Sequence, residues 1–164
     1  MDGSVSPFGT DGAVMYFHPA QLGGLYKENR ILVNRGYLHM VFHCIFRHFG
    51  KPGIEKRLWN LSCDIAVEHM IDGIYHRSVR YSRSLLRRET YRLLEKEKKT
   101  LNAERIYKIL KEEFLKEKEL AQLEKEFYVD DHKYWANQQP DRKPNPLMSK
   151  KSVSYTHLRA HETC

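Results

Sequence analysis

Leu38, Val41, Phe42, Ile45, Phe46 and Phe49 recur at i, i+3, i+4, i+7, i+8 and i+11. That spacing lays their side chains along one face of a helix. Gly50, Pro52 and Gly53 follow and predict its end. The next run, Leu58 to Asp72, is apolar on most sides, which predicts a buried helix stopped by Gly73. Upstream, Thr10-Asp11-Gly12 is turn chemistry, and Ala13 to Phe17 reads as a short strand halted by Pro19. A short helix is expected over Ala20 to Lys27. Downstream, Ala103 to Glu126 reads as one helix with Ile106, Ile109, Leu110 and Phe114 on a single face. Asn102 is placed to cap it, and its many Lys and Glu three or four apart suit an exposed, ion-paired surface. The pattern predicts a mainly α-helical fold with a small N-terminal β element, and no internal repeat.

Composition narrows the class. A chain of 164 residues with 41% hydrophobic and 30% charged positions suits one domain with one core. We assign that domain to residues 1–136. Residues 137–152, rich in Pro, Asn and Lys, read as linker. Residues 153–164 read as a translated sequencing-library adapter, so the natural frame is expected to run on past Ser152. No apolar run approaches the roughly 20 residues that cross a bilayer, and Met1 to Thr10 lacks the pattern of a secretory signal. Cys44, Cys63 and Cys164 form no disulfide framework, which points to a reducing cytoplasm. Cys44 and Cys63 are expected to pack as small buried side chains.

The net charge is +7, and residues 77–99 supply most of it, with nine Lys or Arg against three Glu. Tyr81 and Tyr91 are interleaved there, with Tyr75 just before it. We read this segment as a solvated face rather than a nucleic-acid site, since no recognition motif accompanies it. Serine or cysteine nucleophile arrangements, phosphate-binding glycine loops and dinucleotide fingerprints are all missing from the sequence.

The sharpest chemical signal is His39-Met40-Val41-Phe42-His43. Two imidazoles four apart stand one turn apart on one helix face and can bind one zinc. With Leu38 at zero, His39 falls at about 100° and His43 at about 140°, bordering the apolar face near Phe46. His48 falls near 280°, roughly opposite, so one unbroken helix cannot bring all three to one ion. Any third ligand must come from elsewhere. Asp64, Glu68 and Asp72 form an acidic stripe on the otherwise apolar second helix. Buried carboxylates need partners or a metal. His69 is a weaker candidate, on that helix's most apolar face. The alternative is an ordinary core histidine or a surface pair, with the stripe answered by arginines such as Arg47, Arg57 or Arg77. Asp130, Asp131 and His132 read as turn and cap residues, with a second polar site or distant ligation as the alternative.

Four ordered segments resemble a bacterial zinc-metallopeptidase-like domain that precedes a von Willebrand factor A-like domain. They are Thr10-Asp11-Gly12 with Met15-Tyr16-Phe17-His18-Pro19, the histidine helix, Leu58-Trp59-Asn60-Leu61-Ser62-Cys63-Asp64, and Val129-Asp130-Asp131-His132-Lys133-Tyr134-Trp135. The second is similar to that family's HExxH helix with a further histidine five residues on, the positions of His39, His43 and His48. The resemblance spans most of residues 8–135. It implies a zincin-like helical core and zinc ligands at His39 and His43, with Asp64 as the third and a fourth position open. It also implies a von Willebrand factor A-like domain beyond this sequence and an AAA-type ATPase as partner. The departure is Met40, which stands where the glutamate general base of HExxH belongs. Such a base is worth about 10²–10⁴-fold, so the expectation is a metal-binding module of weak or no peptide hydrolysis, unless Glu68 substitutes. The runner-up is a non-catalytic module meeting nucleic acid or an acidic protein through residues 77–99.

Overall fold

The computed structural model describes residues 6–49, 51, 53–95, 100–113 and 116–137. Gly50, Pro52, Phe114, the adapter-like tail and all but the first residue of the expected linker lie outside them. The fold is mainly α-helical with one small N-terminal sheet. Strands β1 (Phe8–Thr10) and β2 (Met15–Phe17) pair antiparallel, Thr10 opposite Met15. The expected turn closes this hairpin: Gly12 takes a positive φ of 89°, and Asp11 Oδ1 accepts from the amides of Ala13 and Val14. Among the described residues no helix is long and apolar enough to cross a membrane.

Helix α1 runs Pro19–Phe46, with Pro19 in its first turn and His18 as N-cap. The two separate helices expected here are joined across a kink at Asn29, whose backbone leaves the helical region (φ −158°, ψ 100°). Asn29 Oδ1 accepts from the Ile31 amide and so restarts the helix. The helix then stops three residues earlier than the Phe49 pattern predicts. Arg47 takes a left-handed conformation (φ 52°, ψ 50°) and its amide closes on the Cys44 and His43 carbonyls. His48 and Phe49 therefore leave the helix, which changes where His48 points.

Helix α2 (Lys56–Asp72) is central and ends at Gly73 as the pattern predicts. Its apolar sides meet α3 (Leu85–Leu94), α4 (Ala103–Glu112) and α5 (Glu117–Phe127). Leu58, Trp59, Leu61 and Ile65 pack there with Tyr91, Ile106, Leu110, Leu123 and Phe127. The single helix expected over Ala103 to Glu126 is two helices. Along an unbroken helix Leu123 would stand about 260° round from Ile106. The break between Glu112 and Glu117 lets both turn onto α2, and Lys116 with Glu119 caps the new start.

The most deeply buried face of α1 is not the apolar one, of which Leu38 and Phe42 are only partly buried. Ile45 is 61% and Phe46 42% exposed, while Arg35, Gly36, His39, Met40 and His43 are buried. Gly36 makes room for the hairpin, because a Cβ there would collide with the Phe8 ring. A Gly36→Val variant should lose about 1–3 kcal/mol in urea unfolding. Adding Phe8→Ala should make the pair cost less than the sum of the two single changes; strict additivity would show that the hairpin does not rest on this contact.

Candidate metal centre

Two polar stripes, each stepping by four residues, bring α1 and α2 together. Arg35, His39 and His43 advance along α1 while Asp72, Glu68 and Asp64 return along α2. Arg35 Nη2 donates to Glu68 Oε2 at 2.5 Å and to Asp72 Oδ1 at 2.8 Å. His39 Nδ1 meets Glu68 Oε1 at 2.9 Å. His39 Nε2 and His43 Nε2 each lie 3.3 Å from Asp64 Oδ1. The arginines expected to answer the acidic stripe are not the ones that do so. Arg35 and Arg87 hold Glu68 and Asp72, while Arg57 pairs with Glu117 and Glu124.

A third segment completes the cluster. After α5 the chain turns back beneath the hairpin, where the Asp131 amide donates to the Phe8 carbonyl at 2.9 Å and Tyr134 stacks on Tyr16. This carries Asp130 and His132, at the mouth of a short 3₁₀ helix (His132–Asn137), against the histidine pair. His132 Nε2 lies 2.8 Å from Asp130 Oδ1 and 3.0 Å from Asp64 Oδ1. Asp130 Oδ1 is 3.4 Å from His39 Nε2 and 3.7 Å from His43 Nε2. One donor atom from each of His39, His43, Asp64, Asp130 and His132 thus lies within 4.8 Å of all the others. Asp131 alone makes the expected turn, accepting from the Lys133 amide at 3.0 Å.

These separations fit a shared cation. Four ligands at zinc's bond length of about 2.0–2.1 Å stand about 3.3–3.4 Å apart around a tetrahedron. Direct hydrogen bonding accounts for only part of the arrangement: His39 Nε2 meets His43 Nε2 at 2.8 Å and Asp64 Oδ1 at 3.3 Å. Among the described residues, both Asp130 carboxylate oxygens and His132 Nε2 are buried without a well-aligned hydrogen bond, although Oδ1 and Nε2 lie 2.8 Å apart. Orphaned buried polar atoms are rare in a folded protein, and donors aimed at one point rather than at each other produce this pattern. The cluster could therefore hold a metal ion.

The outer contacts prepare the ligands. His39 can donate its Nδ1 proton to Glu68, and His43 Nδ1 lies 2.9 Å from His48 Nδ1. With His43 donating from Nδ1 to His48, both leave an Nε2 lone pair facing the cluster, as metal-binding imidazoles require. His48 reaches this place only because α1 ends at Phe46, and the Trp59 indole fixes it by donating to the His48 carbonyl at 2.9 Å. Burial, with neighbouring imidazoles, pushes His43 down to about 4 and His48 down to about 3, so both are neutral. Burial also works against charge on His132 and His39, but the carboxylates around them win. They hold His132 up at about 10 and His39 well above its ordinary range. Asp64 and Asp130 are driven the other way, well below the usual carboxylate range, because their imidazole neighbours outweigh burial. The two carboxylates call for positive charge between them, which two protons or one divalent ion can supply.

Comparison with known protein families, curated proteins and solved structures gives no match for this chain. The site is therefore read from its own residues. Of the candidates in the sequence, His39, His43 and Asp64 converge. His69 does not: it lies on a partly exposed flank of α2, bonded to Glu95 at 2.7 Å. Asp72 is held by Arg35 and the Tyr91 hydroxyl, away from the donors. Cys44 and Cys63 are free thiols outside the donor set, Cys63 fully buried and Cys44 half-buried. Asp130 and His132 join the donor set in place of the turn role expected of them, which is the distant-ligation alternative that the sequence leaves open. Their i, i+2 spacing, which sets two side chains on one side of an extended backbone, was the available signal.

Glu68, the candidate substitute base, faces the back of His39 and is gripped by Arg35 and Arg87. Burial disfavours its charge, yet the His39 bond and the two guanidiniums bring its pKa down to about 2. A carboxylate this far below its unfolded value of about 4.3 adds stability above that pH and loses it as pH falls toward 2. Removing one partner of such a buried pair typically costs about 3–5 kcal/mol. Glu68→Gln should lose that much at pH 7 in urea unfolding, and its stability should fall less steeply than wild type between pH 5 and pH 3. Parallel pH profiles would show that Glu68 is not the group titrating.

Proposed function

We propose that this chain is a metal-binding, metallopeptidase-like module that holds zinc through His39, His43, Asp64, Asp130 and His132 and has weak or no hydrolytic activity. One observation carries the reading: five donor atoms from three separate segments converge on one buried point. Three imidazoles with two carboxylates form a nitrogen–oxygen set that suits zinc. When bound, zinc supplies Lewis-acid polarisation of a carbonyl or phosphoryl oxygen.

The chain's own residues supply little else that peptide hydrolysis needs. Met40 is buried at 3% exposure and has no proton-accepting group, so the position next to the first histidine cannot act as a base. Glu68 is committed to His39 Nδ1 and to two arginines. A structural zinc takes four protein ligands, and this site offers five, enough to fill every position that a substrate oxygen would need. A cleft of about 320 Å³, lined in part by Asn60, Asp64, Asp130 and His132, reaches the cluster from one side. In this reading the ion joins α1, α2 and the segment after α5, and a von Willebrand factor A-like domain beyond this sequence and an AAA-type ATPase remain the proposed neighbours. The setting proposed is cytoplasmic.

Purified protein should retain a single equivalent of zinc by elemental analysis, and His43→Ala and Asp130→Ala should not retain it. An ion free at a thousandfold its Kd stabilises the folded state by about 4 kcal/mol, so a chelator should lower the melting temperature by on the order of 10 °C. Casein cleavage by the zinc-loaded protein should stay at background. Metal-free protein whose melting ignores both chelator and zinc would remove the site. Robust zinc-dependent cleavage, lost in His43→Ala, would remove the non-hydrolytic reading.

A further inference from the structure

The basic segment divides in two once folded. Arg87 turns inward, to Glu68 at 2.6 Å and to the Phe127 ring. Arg80, Arg83 and Arg88 instead line an open cleft of about 550 Å³ where the end of α2, the following loop and the start of α3 meet. That volume suits a small ligand. Among the described residues Asp72 is the one carboxylate in the cleft wall, and Arg35 and the Tyr91 hydroxyl already hold it. Arg80 and Arg88 are exposed and form no ion pair among the described residues. Arg83 makes a single long bond, to the Asp72 carbonyl at 3.2 Å, and keeps its other N–H groups. Guanidiniums gathered without counter-charge form a site for an oxyanion, and phosphate matches their forked geometry.

Two aromatic rings stand in the same cleft. Tyr75 is 88% and Tyr81 48% exposed, although each has a large apolar surface. Exposed aromatic faces beside a cationic groove are the arrangement that stacks unpaired bases. We propose that this cleft binds a nucleotide unit, its phosphate held by Arg80, Arg83 and Arg88 and its base stacked on Tyr81 or Tyr75. A duplex offers no free base face, so the ligand is a free nucleotide or one unit of a single strand. This site shares Arg35 with the surroundings of the metal centre but uses none of its donors, and it stands or falls independently of zinc.

The test titrates the full chain with AMP and ATP by calorimetry and with fluorescein-labelled oligothymidylate by anisotropy. Saturable binding is expected in at least one arm, and the tighter arm identifies the source of the nucleotide. The Arg80→Ala, Arg88→Ala double variant should weaken it by about tenfold or more, the scale of one or two lost charge-assisted bonds. Tyr81→Ala should weaken it severalfold, while Lys108→Ala, an exposed lysine on α4, should leave it unchanged. Circular dichroism confirms that the exposed-site variants fold. For the strand, one neutralised phosphate predicts a log–log salt slope of about −0.7. No saturable binding by about 1 mM ligand in either arm overturns the proposal. So does duplex DNA binding that matches the single strand and ignores Tyr81→Ala.

Discussion

The seam between α1 and α2 organises this molecule. Arg35, His39 and His43 face Asp72, Glu68 and Asp64 in antiparallel register, inside the protein core. Buried charges left unpaired cost several kcal/mol each. A slip of one turn would leave an end of each stripe unanswered, so the seam fixes the register of the two helices. It also overrides the hydrophobic pattern of α1. Leaving Ile45 and Phe46 partly in water forfeits only part of the about 1.5–3 kcal/mol that full burial of each would give, less than leaving the seam's charges unpaired. The histidines are therefore central and fully buried rather than at the edge of an apolar face.

Charge balance then explains the third segment. Asp64 and Asp130 share one buried space with three imidazoles, and His43 is held neutral by its surroundings. Positive charge must come from protons on His39 and His132 or from a cation. Glu68 and His48 stand behind the histidine pair and set which nitrogen faces inward. The same contacts that prepare His39 as a ligand leave Glu68 unable to serve as a base. Methionine at position 40 and a surplus of protein donors agree with the proposal of a site that holds an ion without turning over peptides.

Much of the fold was legible because it is local. The hairpin turn, the end of α2 and the Asn102 cap are written in adjacent residues, and Asn102 Oδ1 does accept from the Arg105 amide. The spacing of His39 with His43 and of Asp64 with Glu68 was legible for the same reason. What was hidden depends on contacts far apart in sequence. Nothing near Asp130 shows that the chain returns to Phe8, some 120 residues earlier. Nor does the sequence near Arg35 reveal that it, rather than Arg47, Arg57 or Arg77, would meet Glu68 across the seam. The stop at Arg47 was missed because a left-handed cap at a residue other than glycine carries no strong local signature. That stop is what brings His48 round to His43.

Zinc K-edge X-ray absorption on the purified protein tests the convergence of these segments most directly. The five-residue cluster predicts a first shell of four or five nitrogen and oxygen atoms at about 2.0–2.1 Å, with multiple scattering from imidazoles and no sulfur near about 2.3 Å. A sulfur-containing shell, or a water-dominated one with at most one imidazole, would mean that His39, His43, Asp64, Asp130 and His132 do not share an ion.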